Sequence, residues 1–295
     1  MELGINHMAE KAIKLIKIKL IKNKQWQTNA KMLGLTLVLA FIYWITTPIP
    51  NPIEQLHTVS PATINEIEII SKKQGRLKLK KENLHWLLVD PVMIKANQVK
   101  VNGLFRILLA KSHAKYLTQQ NLKQYGLELP KIKVTFNQKH TVAFGGKTAI
   151  DNQRYVLVNQ QIHTISPFLF YLAKGGYPAF VDNKLFEQKI TRLKFADFEV
   201  NAEPKWNIEK NDQILNVPAT KIKQFVKNWQ NLTAIRVKKY QQSIKTKSIV
   251  IQFKNAPSIT FDLLSNKNEL ILARPDLKIQ YLFSISLKNI LFRLP

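Results

Sequence analysis

The chain of 295 residues contains no cysteine, which removes disulfides, thiol catalysis and every zinc or iron–sulfur site that needs thiolates. Glycine is scarce at 9 residues, too few for a collagen-like repeat. Acidic side chains are also few: 19 against 45 basic ones, for a formal net charge of +26. Among the basic residues only 7 are arginine and 38 are lysine, so bidentate phosphate forks are rare. What is present is a globular share of apolar residues, 45%, with 5 Trp and 15 Phe, and that excludes a wholly disordered chain. The positive field suits anionic partners. It equally suits the lysine, asparagine and isoleucine usage of an AT-rich genome, spread over solvated faces.

Residues 32–49 (MLGLTLVLAFIYWITTPI) form a run of 18 without a charge. As a helix the run spans about 27 Å, close to the roughly 30 Å hydrocarbon core of a bilayer. Tyr43 and Trp44 stand near its far end, where amphipathic rings prefer the interface, and Pro48 and Pro50 then stop the helix. Seven lysines precede the run, and the first after it is Lys72. This asymmetry predicts a single-pass protein of the bacterial inner membrane, with residues 1–31 as a basic cytoplasmic segment and the C-terminal part periplasmic. A cleaved signal peptide fits less well, because 31 residues precede the run and no Ala-x-Ala follows it. Residues 11–24 alternate Lys with Ile and Leu; they read as a topology signal, with a segment lying on anionic lipid as the alternative.

Residues 50–65, with three prolines among residues 50–64, read as a linker. Beyond it, period-two runs predict strands at 66–71, 76–80, 84–89, 131–136, 141–144, 154–158 and 161–165. Asn97 is placed to cap a helix carrying Val101, Leu104, Phe105 and Leu108 on one stripe, and a short helix is expected over 118–125, ending at Gly126. The pattern then recurs: strands at 199–202 and 204–208, and a helix capped by Thr220 with Ile222, Phe225, Val226 and Trp229 on one face. Strands follow at 248–253, 258–261, 270–273 and 277–280. Trp206 takes the place of Trp86, and Phe253 to Phe261 repeats the eight-residue spacing of Phe136 to Phe144. The expected fold class is therefore α+β: a transmembrane helix followed by two tandem, similar sheet-plus-helix units, residues 66–194 and 195–295. Each has mostly antiparallel strands with helices on one face and a polar, lysine-rich opposite face. Both tryptophans are expected in the core.

The motifs that could carry chemistry are weak. Gly146-Lys147-Thr148 resembles the end of a phosphate loop, but Thr141 stands where the first glycine belongs and a strand follows, so Gly145-Gly146 reads as a turn. The six histidines (His7, His57, His85, His113, His140 and His163) have no metal-ligand spacing. No Gly-x-Ser-x-Gly elbow occurs. Asp197, Glu199, Glu203, Glu209 and Asp212 could pair as acid and base but read more simply as a solvated face. Residues 72–81 hold six Lys or Arg, taken as an edge strand protected from aggregation, with lipid phosphates as the alternative contact. No catalytic, cofactor-binding or metal-binding residue is expected, and no cofactor. Nucleic acid is not expected as a partner, because no aromatic residues interleave with the basic run.

Several elements resemble a bacterial family of unknown function. They are Trp86 and Pro91, Gln124-Tyr125-Gly126-Leu127-Glu128-Leu129-Pro130, Val142-Ala143-Phe144-Gly145, Arg154-Tyr155-Val156, and Phe180-Val181-Asp182-Asn183-Lys184-Leu185-Phe186. The family is domain-of-unknown-function family 4340, and the resemblance is densest over residues 66–194. It implies an envelope protein with one N-terminal membrane helix, no assigned catalytic residues, and a relation to auxiliary subunits of gliding-motility-type ABC transporters. The expected function is a membrane-anchored periplasmic binding or scaffold protein rather than an enzyme. Its partners would be the lipid bilayer and an envelope protein, with an ABC-transport complex as the class the resemblance suggests. An envelope hydrolase using an acidic site, and a protein binding anionic lipid or polyanions, are the alternatives.

Overall fold

The computed structural model describes residues 2–46, 54–116, 121–203, 205–242, 244–264 and 266–294. It divides into an N-terminal unit, Met1–Pro52, and a body, Ile53–Pro295. The described residues of the N-terminal unit form one helix, α1 (Glu2–Thr46), so the basic segment is helical as well. Its stretch Gln25–Thr46, 22 residues, is long and apolar enough to cross a bilayer, as a membrane anchor or a signal sequence. The apolar side chains from Trp26 to Ile45 are exposed. Thr36 and Thr46 return their hydroxyl protons to the carbonyls of Met32 and Ile42, which hides two polar groups within the helix (2.9 and 2.6 Å). The expected stop at Pro48 and Pro50 lies outside the described residues.

The body holds two nine-stranded antiparallel sheets. The first contains β1 (Glu66–Ser71), β2 (Gly75–Glu82), β3 (His85–Asp90), β4 (Ile94–Lys95), β5 (Ala114–Tyr116), β6 (Ile132–Phe136), β7 (His140–Lys147), β8 (Arg154–Val158) and β9 (Gln161–Ile165), in the order β4-β3-β2-β1-β6-β7-β8-β9-β5. Helix α2 (Gln98–Leu108) lies between β4 and β5 in sequence, and α3 (Phe168–Leu172) follows β9. The second contains β10 (Ile190–Lys194), β11 (Glu199–Asn201), β12 (Asn207–Lys210), β13 (Gln213–Ile214), β14 (Arg236–Lys239), β15 (Lys245–Phe253), β16 (Ala256–Leu264), β17 (Glu269–Arg274) and β18 (Ile279–Ser284). Its order is β13-β12-β11-β10-β15-β16-β17-β18-β14, the same path strand for strand. Helix α4 (Ala219–Gln230) occupies the place of α2, and α5 (Leu287–Phe292) the place of α3.

The duplication extends to side chains. Ile132 sits opposite Phe144 across β6 and β7, and Ile249 sits opposite Phe261 across β15 and β16. All four are buried. Trp86 is buried in β3 against Phe105 of α2, with ring centroids 6.1 Å apart. Trp206, just before β12, is half-buried, and Lys223 of α4 lies 5.8 Å above its ring. Helix α4 buries its whole expected stripe, Ile222, Phe225, Val226 and Trp229, whereas α2 buries Val101, Leu104 and Leu108 of its own and leaves Phe105 half-buried, with Ile107 buried beside them. Asn97 caps α2, its carbonyl Oδ1 accepting from the Lys100 amide (3.1 Å). On the opposite face of the first sheet, Glu66 stands across from Lys80 and Glu68 across from Lys78, and Lys78 Nζ reaches Glu66 at 2.9 Å. That face is polar, as alternation requires.

Several expectations need correction. β10, placed by sequence in the first unit that ends at residue 194, is the fourth strand of the second sheet, paired with β11 and β15. β2 is not an edge strand, because β1 and β3 flank it on both sides. The linker is packed at both Leu56-His57 and Ile64, which are buried, and Leu56 N donates to Ala110 O at 2.8 Å. Thr220 lies inside α4, whose N-cap is Pro218. Of the helix expected over 118–125, residues 118–120 are outside the described ones, and 122–126 form a turn.

Candidate functional site

The segment between the sheets decides what the body can present. A 3-10 turn ends at Phe180, and residues 181–185 continue it as a connector; together they hydrogen-bond to both repeats. On one side Asn97 N donates to Phe180 O (2.7 Å) and Asp182 N to Lys95 O (3.0 Å), just ahead of α2. On the other side Ala234 N donates to Asn183 O (2.8 Å), just behind α4, and Asn183 Nδ2 donates to Ala234 O (3.0 Å). Phe180, Val181, Leu185 and Phe186 are buried, so apolar residues at both ends anchor the connector while its backbone bridges the two repeats. Unpaired backbone groups would be costly here, which makes this a firm joint.

Beside the joint lies an open cleft of about 530 Å3. Its walls come from the β1–β2 turn (Lys73, Gln74), from Gly175-Gly176-Tyr177, and from Lys238 and Lys239 of β14. The wall is held in shape by two hydrogen bonds and one close backbone approach. Gly175 N donates to Gln74 Oε1 at 3.0 Å. Tyr177 donates its hydroxyl to the carbonyl of Lys278 at 2.8 Å, and burial raises its pKa, keeping the phenol a donor. Gly176 takes φ +66°, and a Cβ there would press on Gln74 Cβ at 3.3 Å. No carboxylate lines the cleft, and no carboxylate among the described residues pairs with Lys73, Lys238 or Lys239.

The carboxylates singled out by sequence gather elsewhere. Asp197, Glu199, Glu209 and Asp212 border a shallow depression of about 250 Å3 at one end of the second sheet. Three of the five carboxylates carry lysine or arginine partners: Asp197 with Lys247 (2.6 Å), Glu199 with Arg192 (3.0 Å) and Glu203 with Lys189 (2.6 Å). A third groove of about 480 Å3 passes Trp86, Lys95 and Asp182, but Lys95 is already paired with Asp182 (3.8 Å) and with Glu187.

Sequence reasoning missed two arrangements. The first is a clamp on β7. Gly145-Gly146 is not a turn but the end of a strand, and Gly146 N donates to Tyr125 O at 2.7 Å. Arg154 Nη1 donates to Gly145 O (2.8 Å), and the guanidinium lies 3.9 Å above the Phe170 ring of α3. Arg154 is buried, and desolvation lowers its pKa. Tyr116, Tyr125 and Tyr155 pack together beside this clamp, with centroids 4.9–5.9 Å apart.

The second is a histidine group. His57 packs edge-on against His140 at 5.2 Å, and His163 Nδ1 is 3.0 Å from Ser112 Oγ. The partners in each pair are far apart along the chain, so no local spacing could reveal them. His57 and His163 are buried, and their pKa values are lowered. For His57 the main cause is burial, followed by repulsion from His140; for His163 it is burial, followed by Lys115. The folded chain therefore keeps both rings neutral while the unfolded chain takes up protons near the ordinary value of 6.5. Stability is fully present above that pH and is lost as pH falls toward the lowered folded values. The melting temperature of the full chain in detergent should drop between pH 7.5 and 5, and a His57→Gln/His163→Gln variant should show a flatter profile. Equal slopes would refute this account.

Comparison with curated proteins gives no match, and comparison with solved structures gives none either. The family model for a domain of unknown function, DUF4340, matches residues 86–254, from Trp86 of β3 to the residue after β15, and so spans the connector, Gly175-Gly176 and β14. With more than half of its residues matched, the chain belongs to the DUF4340 family.

Proposed function

We propose that the chain is a single-pass protein of the bacterial inner membrane whose body is a periplasmic binding or scaffold module, serving an envelope or ABC-transport complex, and that it is not an enzyme. The observation that carries this reading is the joint at residues 180–185, which locks two copies of one fold around a shaped cleft of ligand size. The apolar stretch Gln25–Thr46 and the seven lysines ahead of residue 32 support the anchor and its orientation. The hydrolase alternative has less support, since three of its five candidate carboxylates are paired with lysine or arginine. Reporter fusions test the placement: a C-terminal alkaline phosphatase should be active, and a C-terminal green fluorescent protein exported the same way should stay dark. In vivo crosslinking of the full chain should then recover a defined envelope protein. A cytosolic C-terminus overturns the placement, and crosslinking that recovers no specific partner overturns the scaffold role.

A further inference from the structure

We infer that the cleft between the two repeats is a binding site for a phosphoryl-bearing anion with at least two negative charges. The inference rests on the binding-module reading and gives it a ligand class. Lys73 comes from the first repeat, and Lys238 and Lys239 from β14 of the second, so a multivalent anion seated between them would contact both copies at once. These amines have no carboxylate partner among the described residues, whereas Arg76 and Lys78 of the adjoining β2 do. On this hairpin Arg76 and Lys78 carry carboxylate partners, while Lys73 at the turn enters the cleft without one. Lysine binds phosphoryl oxygens as a point charge with three rotating donors, without the planar fork that arginine supplies. The wall opposite is preorganised by the Gln74–Gly175 and Tyr177–Lys278 hydrogen bonds, so ligand binding does not have to order it. A volume of about 530 Å3 accommodates a small diphosphate or the headgroup of a phospholipid.

A chain of net charge +26 attracts any anion, so the test must separate a site from a field. The full chain in neutral detergent is titrated calorimetrically with inorganic pyrophosphate and, in a second arm, with a short-chain phosphatidic acid below its micellar concentration. Three forms are compared: the native chain, K73Q/K238Q/K239Q, and the charge-matched K100Q/K139Q/K267Q, whose lysines are exposed and line no part of the cleft. One-to-one binding is expected, weakened about tenfold or more in the cleft variant, the size of one charge-assisted hydrogen bond. The control should change much less. Cleft-dependent binding of pyrophosphate alone identifies a soluble ligand, and of phosphatidic acid alone a lipid headgroup. Equal loss in both variants, or no binding of either probe, overturns the inference. The placement tests above use fusions and crosslinking, so a failure here leaves them standing and the two readings fail separately.

Discussion

Trp229→Ala is expected to destabilise the body by about 4 kcal/mol, the middle of the range for truncating a buried aromatic side chain. Trp229 closes the last turn of α4 with no surface exposed. Its ring meets Phe195 at 5.7 Å and Phe292 at 5.6 Å, and Phe195 stacks on Phe198 at 4.4 Å. The indole Nε1 donates to Leu291 O at 3.1 Å, so the same residue satisfies a terminal carbonyl of α5. Alanine would leave a cavity between Phe195 and Phe292 and an orphan carbonyl at the end of α5. Denaturant unfolding followed by circular dichroism measures the total. Trp229→Phe refines it: most of the aromatic packing survives, the hydrogen bond does not, and a loss of about 1–2 kcal/mol is expected. The first symptom of the alanine variant should be local, with protease cleavage near residues 287–292 before the sheets open. A loss below about 1 kcal/mol would mean that α5 is not held by this side chain. Trp206 offers the contrast: it is half-buried, and its removal should cost clearly less than that of Trp86.

The same residues show how much can be read in advance. The strands of the hairpin β8–β9 are legible because β-branched residues and tyrosine make up most of two five-residue runs and a two-residue Asn159-Gln160 turn separates them. The buried stripe of α4 is legible because tertiary burial follows the 3.6 period there. The duplication is legible in outline because helix, tryptophan and hairpin spacing recur, and the identical strand order bears that out. The strand order itself is not legible. It pairs β1 with β6 and β9 with β5, partners that no local pattern connects. The misplacement of β10 has the same origin, since a strand of alternating residues carries no mark of which sheet accepts it. The cleft is invisible in the sequence for a further reason: Lys73, Gly176 and Lys238 meet only after both sheets and the connector are in place. Residues 180–186 stand out as a family-like string, but what makes that string necessary is the pair of backbone ladders it closes.

Gly145→Val is expected to cost about 3 kcal/mol, the sum of a lost burial and a lost hydrogen bond. Gly145 is buried in β7 under the Tyr125-Gly126-Leu127 segment. A Cβ at this position would collide with the carbonyl oxygen of Tyr125 and approach Leu127 Cγ at 2.8 Å. Neither neighbour can give way alone. Tyr125 O accepts the Gly146 amide, and Leu127 is buried, so the segment must lift as a unit. Lifting it exposes Leu127, worth about 2 kcal/mol, and breaks a hydrogen bond worth about 1 kcal/mol. The three-tyrosine cluster would lose Tyr125 with it, and protease sensitivity should appear within residues 121–130. Gly75→Ala is the control. Gly75 has φ +81° but open space around it, so only backbone strain of about 1 kcal/mol opposes the substitution. Equal destabilisation of the two variants, each measured by denaturant unfolding, would mean that close approach to Tyr125 does not govern Gly145. The expected difference gives the Tyr-Gly-Leu element a structural role, in which it covers the paired glycines at the end of β7. That leaves the cleft, rather than this element, as the surface on which binding is to be sought.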